Sequence, residues 1–174
     1  MTFALAWRSA IRDSSLMQTR VETKSGKRVR VAAGDIFAVP LDAEQQSFGY
    51  IRAYQDVDVG ILPVISKARI LSIAQIPTVG SVLDVFLFQD ALKTGRWPRI
   101  GNLPFSDEAS AWAPARKQVA ASRPEVRMVV FRGHFIAADK FGQYDELPLF
   151  QKFDEEDVIR EMLQRADGFL VMDS

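Results

Sequence analysis

The longest strongly apolar run in the chain is VGILPVI, Val59–Ile65. A run that short, interrupted by proline, does not cross a bilayer, which takes about 20 apolar residues, and does not build a long buried helix. The neighbouring runs are equally short and are separated by turn-forming residues. RVRV, at 28–31, alternates charge with valine at the strand period of two, after a Ser25-Gly26 turn signal. GDIFAVPL follows at 34–41 and is apolar on both faces. It predicts a central strand ending at or near Pro40, because proline has no N–H to give a ladder. Polar DAEQQS connects it to a strand at FGYIRAY, 48–54; DVDVG then turns the chain into ILPVIS, and SVLDVFLFQ predicts a further strand. Short strands at this spacing favour a rolled antiparallel sheet over a parallel one.

Gln89–Thr94 predicts a brief coil stopped by Gly95. The alanine-rich SDEASAWAPARKQVAAS, 106–122, predicts some helix broken at Pro114. VRMVVF and HFIAA flank Arg132-Gly133 and read as a hairpin, although arginine is not the ideal first turn residue. DEEDVIREMLQRADG predicts a helix with Asp154 as N-cap and Asp157 completing a near capping box. Val158, Ile159, Met162, Leu163 and Ala166 form its apolar face, with Gly168 as the C′ stop. The expected fold class is α+β: a mostly antiparallel, rolled or barrel-like sheet with a packed C-terminal helix. Residues 29–174 are expected to form one domain, behind an unassigned N-terminal extension, 1–28.

With 22 basic and 22 acidic residues, the whole molecule is not an evident binder of nucleic acid or membrane. The charge is polarised: residues 1–33 carry seven cations against two anions, and residues 154–174 seven anions against two cations. The chain has no cysteine, which excludes disulfides, thiolate nucleophiles and cysteine-held metals and suits reducing cytoplasm. The N-terminus mixes Arg8, Arg12 and Asp13 into its apolar residues, so no secretory leader is expected. His134 is the single histidine and is expected to be structural or exposed; no G-x-S-x-G elbow accompanies it. Asp56 and Asp58 begin like a calcium loop but lack its remaining ligands, so a solvated turn is expected there. No catalytic residue, cofactor site or metal site is assigned. The acids at the helix start have a capping role, and Glu155, Glu156, Asp157 and Glu161 also form a candidate partner-binding surface.

GRWPRIGNLPF, Gly95–Phe105, combines a tryptophan, two arginines, two prolines and two glycines without an acid, a mixture suited to neither helix nor regular strand. Pro98 and Pro104 stiffen such a loop, while Gly95 and Gly101 permit its turns. Trp97 is expected to be buried as the anchor of a strap, leaving Arg96 and Arg99 as an alternative partner-contact pair. This block, with Gly34, Asp35, Phe37 and Pro40 in GDIFAVPL and Gly49 in FGYIRAY, resembles the immunity protein 26 family of bacterial polymorphic toxin systems. The resemblance runs from about Val29 to Leu170 and takes in the FRGHFIAA hairpin and the acidic helix. The GDI opening also suits a small SH3-like barrel. The resemblance implies a cytoplasmic protein that binds and neutralises a cognate toxin, encoded by a neighbouring gene, with no membrane or nucleic-acid partner. The family's name is shared with a small phosphotriesterase, which makes an organophosphate hydrolase the alternative. A single histidine cannot supply the several that a binuclear centre of the well-understood phosphotriesterases uses.

Overall fold

In the computed structural model, residues 29–120 and 122–173 are described; the N-terminal extension lies outside them. Apolar residues on both faces make β1 (Asp35–Pro40) an interior strand, flanked by β2 (Ser47–Ala53) and by β5 (Arg99–Asn102). Pro40 is its last residue, as its missing N–H requires. β3 (Asp58–Lys67) runs antiparallel to β2. Its other edge is divided, pairing with β4 (Leu83–Leu87) over Asp58–Ile61 and with β10 (Leu170–Met172) over Val64–Ser66. Pro63 falls where the β2–β3 register shifts between Gly49 and Tyr50, so no ladder hydrogen bond is asked of it. β9 (Lys152–Phe153) joins β4 in parallel and completes the order β5-β1-β2-β3-β4-β9, with β10 beside β3.

This sheet is open. β5 and β9 end the path without meeting, so the expected rolled sheet does not close into a barrel, SH3-like or otherwise. β9 is only two residues long and passes directly into α2 (Glu155–Gln164), so the chain covers a sheet face instead of extending the edge. Phe37, Val39, Ile51, Ile61, Leu87 and Trp97 pack with Val158 and Met162 of α2 on that face. Gly49 makes the packing possible, because a Cβ there would overlap the sulfur of Met162. On the opposite face Ile36, Ala38, Phe48, Tyr50, Leu62 and Val64 are closed by Leu71 and Ile76. The buried Tyr50 hydroxyl bonds the Ser66 hydroxyl (2.6 Å) and accepts the Leu71 N–H (2.8 Å), which satisfies it.

The reciprocal cap of α2 forms as expected: Asp157 N–H donates to Asp154 Oδ1 (2.9 Å), and Asp154 N–H to Asp157 Oδ2 (3.1 Å). The helix stops at Gln164 with Arg165 as C-cap, so Gly168 is not its C′ residue. Gly168 instead ends a short 3-10 turn, Ala166–Gly168, that aims the chain into β10. Leu163, expected on the core face, is 52% exposed. A five-residue helix, α1 (Asp90–Thr94), is stopped by Gly95 in the left-handed conformation at φ 77°.

A second, antiparallel sheet comprises β6 (Arg116–Ala120), β7 (Arg123–Phe131) and β8 (His134–Ala137). The β7–β8 turn has φ 50° at Arg132 and 73° at Gly133, both positive as a two-residue hairpin requires. The alanine-rich segment before β6 is not helical. Asp107 and Ser110 hold it in a turn, where Ser110 N–H donates to Asp107 Oδ1 (2.7 Å), and Ala111 and Ala113 are buried.

Arg116 joins the two sheets. It is 2% exposed, and its Nη2 meets Asp58 Oδ2 at 2.6 Å while Nη1 donates to Asp84 O at 3.3 Å. Asp58 is therefore a buried ion-pair partner, not the solvated turn residue expected from DVDVG. Burial raises its carboxyl pKa, and the Arg116 charge and hydrogen bond pull against that rise. Replacing Arg116 by Met strands a buried carboxylate and is expected to cost about 3 kcal/mol or more in urea unfolding. Asp58→Leu combined with Arg116→Met is expected to recover much of that loss, because neither charge is then left unpaired.

Candidate functional site

The Gly95–Phe105 segment begins with Gly95 stopping α1, after which Trp97 drops into the main core, 4% exposed. Its N–H donates to Ala91 O (3.2 Å), and Pro98 O accepts from Ala38 N–H (3.0 Å). From Arg99 the segment becomes strand β5 against β1, with a register shift that absorbs its irregular composition. The strap anchored by Trp97 is thus present, and its middle four residues, Arg99–Asn102, form a strand. Gly101 passes so close to Ile73 that a Cβ there would lie 2.8 Å from the Ile73 side chain. Beyond β5, Arg52 donates to Leu103 O (2.7 Å) and Pro104 O (2.9 Å) and lies 3.6 Å over the Phe105 ring, which stacks on Tyr54.

Asp35 is the hub of this strap. Its carboxylate accepts Ala32 N–H (3.0 Å) and Asn102 Nδ2 (2.8 Å) and pairs with Arg99 Nη2 (2.7 Å). Gly34 precedes it at φ 87°, and a Cβ there would lie 2.6 Å from Leu103 O. Burial by itself raises the Asp35 pKa, but the bonds from Arg99, Asn102 and Ala32 outweigh it and hold the carboxyl below its ordinary range. Phe37 and Trp97 are buried in the main core, Gly34, Gly49 and Gly101 each lie where a Cβ would meet a neighbour, and Pro98 and Pro104 accept hydrogen bonds through their carbonyls.

The two sets of charged residues offered as alternative partner contacts touch at one point, between Arg96 and Glu155. Arg96 pairs with Glu155, Asp157 caps α2 and pairs with Arg160, and Glu161 pairs with Arg165 at 2.5 Å. Arg99 is held by Asp35 while remaining 45% exposed. Of the six, Glu156 alone has no ion-pair partner among the described residues.

A row of phenylalanines, not singled out in the sequence, crosses the seam between the sheets. Phe88 meets Phe86 edge-on (5.3 Å), Phe86 meets Phe150 (6.1 Å), and Phe150 meets Phe135 (6.5 Å). The end members are open to solvent, Phe88 at 54% and Phe135 at 56%. Phe150 is fixed at the seam because its N–H donates to Lys117 O (2.8 Å) on β6 two residues before β9 begins. Lys152 lies over the Phe86 and Phe150 rings, and Phe88 N–H donates to Phe153 O (3.1 Å), next to the start of α2. The i, i+2 spacing of Phe86 and Phe88 signals a shared strand face. Nothing in the local pattern joins that face to Phe135 and Phe150. His134 is exposed, and no three metal-ligating side chains converge among the described residues.

The family profile of immunity protein 26 matches residues 32–125, and the chain belongs to that family. No curated protein and no solved structure matches the chain. No helix among the described residues is long and apolar enough to cross a membrane.

The Asp35–Arg99 pair has a defined pH signature. A carboxyl held below its unfolded value adds stability above that value and loses it as pH falls through the lowered one. Arg99→Ala is expected to cost about 1 kcal/mol at pH 7, modest because Arg99 is half exposed. The gap from the parent protein should narrow as pH drops below 3.8, read from thermal midpoints across an acid titration.

Proposed function

We propose that this protein neutralises a protein toxin by stoichiometric occlusion, and that the phenylalanine row is the core of its contact surface. The observation that carries this reading is the continuous line Phe88–Phe86–Phe150–Phe135, exposed at both ends on a member of an immunity family. Burying two half-exposed phenylalanines removes substantial apolar surface from water, and aromatic side chains are enriched in interfaces. Prior edge-to-face contacts fix the rings, so little side-chain entropy is lost on binding.

The charged group at the start of α2 adjoins the Phe88 end of the row and supplies its polar rim. Glu156 is available for a cation of the toxin, and Glu155, Arg96, Asp157 and Glu161 offer ion pairs that exchange partners at the edge. Arg99 lies on the strap and is the more distant contact. Rim charges of this kind govern association rate and partner choice more than final affinity. The toxin is encoded beside this gene in a polymorphic toxin locus, and neutralisation takes place in the cytoplasm of the producing cell.

Co-expression with the adjacent reading frame is expected to rescue growth and to yield an equimolar complex. Phe88→Ser combined with Phe135→Ser should weaken that complex by about a hundredfold or more while leaving the circular dichroism spectrum unchanged. Undiminished affinity in this double variant removes the row from the interface. Failure of the two proteins to associate at all, or steady turnover of an organophosphate by the purified chain, overturns the occlusion reading.

A further inference from the structure

The smaller sheet has two edges, and the chain treats them differently. Along β6, Lys117 N–H donates to Pro148 O (2.8 Å) and Lys117 O accepts from Phe150 N–H (2.8 Å), so the segment Pro148–Phe150 closes that edge. No segment among the described residues does the same for β8. The two-residue hairpin decides which groups this leaves over. Phe131 and His134 flank the turn and form its hydrogen-bonded pair, and the alternation makes Val129 and Ile136 the next. The N–H and C=O of His134 and Ile136 therefore point at β7, and those of Phe135 and Ala137 point away from it. These two donors and two acceptors have no backbone partner among the described residues.

A free edge is ordinarily protected by charge, proline, a bulge, a cover or sheer shortness. The main sheet uses these devices: β5 carries Arg99 and a register shift, and β9 and β10 are two and three residues long. β8 reads His134-Phe135-Ile136-Ala137, with no lysine, proline or acid, and His134 and Phe135 are exposed.

We propose that the toxin contributes an extended segment that pairs with β8 as a fourth strand of the smaller sheet. This rests on the occlusion reading and names the part of the partner that the surface takes. Continuity with the phenylalanine row decides the occupant. Phe135 and Ala137 share one face of β8, the face on which Phe135 meets Phe150. A strand laid along this edge brings alternate side chains beside Phe135, the exposed end of the row, while its backbone satisfies the four open groups. The segment it fits is apolar beside Phe135 and free of proline where it must donate.

Ala137→Pro isolates the backbone contribution. Ala137 has φ −61°, the value proline requires, and its N–H points away from β7, so the substitution fits the fold and costs no internal hydrogen bond. It removes one outward donor and sets ring carbons against the incoming strand. The complex with the product of the adjacent reading frame is expected to weaken at least about tenfold in Ala137→Pro, while Ala137→Ser, which keeps the N–H, stays within about twofold. Residue-resolved amide exchange on the unmodified protein gives a second readout. On complex formation the Phe135 and Ala137 amides should slow at least about tenfold, while those of His134 and Ile136, already bonded to β7, change little. Uniform slowing across 134–137, or none, overturns strand addition, as does an Ala137→Pro complex of parental affinity; the row is then judged by its own double variant. Slowing of the two amides in the protein alone that grows with its concentration assigns the edge to a second copy and also overturns the proposal. Failure of the two proteins to associate at all overturns the occlusion reading, and this inference with it.

Discussion

Arg116 carries a permanent charge into a seam where it is 2% exposed, and the carboxylate of Asp58 makes that location tenable. Removing both charges from water costs several kcal/mol per ion, so the pair works only with close geometry, here 2.6 Å. The Asp84 carbonyl accepts from a second guanidinium nitrogen, and Arg116 Nε has no hydrogen-bond partner among the described residues. Asp58 belongs to the main sheet and Arg116 to the smaller one, so this contact ties the two sheets together. The Phe150 ring lies 5.1 Å from the Arg116 guanidinium, so the middle of the aromatic row sits beside the same ion pair. A packed apolar seam of equal volume would hold the sheets as firmly, but with less directional control over how they meet.

The residues that carry the family resemblance are chiefly concerned with one construction problem. A strand at the edge of an open sheet must be held by a segment rich in proline and glycine, which by itself has no reason to pair. Asp35 solves this by gathering Arg99, Asn102 and Ala32 around one carboxylate, and Trp97 solves it by filling the core beneath. The family match ends at residue 125, so it includes Phe86 and Phe88 but not Phe135 and Phe150. The proposed contact surface is consequently assembled from both the matched and the unmatched parts of the chain.

Local chemistry made much of the fold legible. The hairpin at Arg132-Gly133, the reciprocal Asp154–Asp157 cap, the stop at Gly95 and the strand end at Pro40 each depend on a few adjacent residues. The misreadings arose where distant contacts outweighed local preference. Alanine favours helix, but Ala111 and Ala113 are buried by the surrounding fold and Pro114 bars a continuous helix. Asp58 looked solvated because its cation stands 58 positions away. Glu155 and Arg96 looked like rival contacts because the sequence gives no sign that the strap ends beside the helix.

The strands β1 to β4, the β7–β8 hairpin, the interior character of β1, the buried tryptophan of the strap and the capped helix were all determined by the sequence alone. They follow from alternation, proline's missing donor and side-chain bonds over three residues. Whether the sheet closed, which charges paired and which aromatic rings became neighbours was decided only in three dimensions. Those outcomes depend on the docking of one sheet against another, where burial and electrostatic pairing act between residues that share no local pattern.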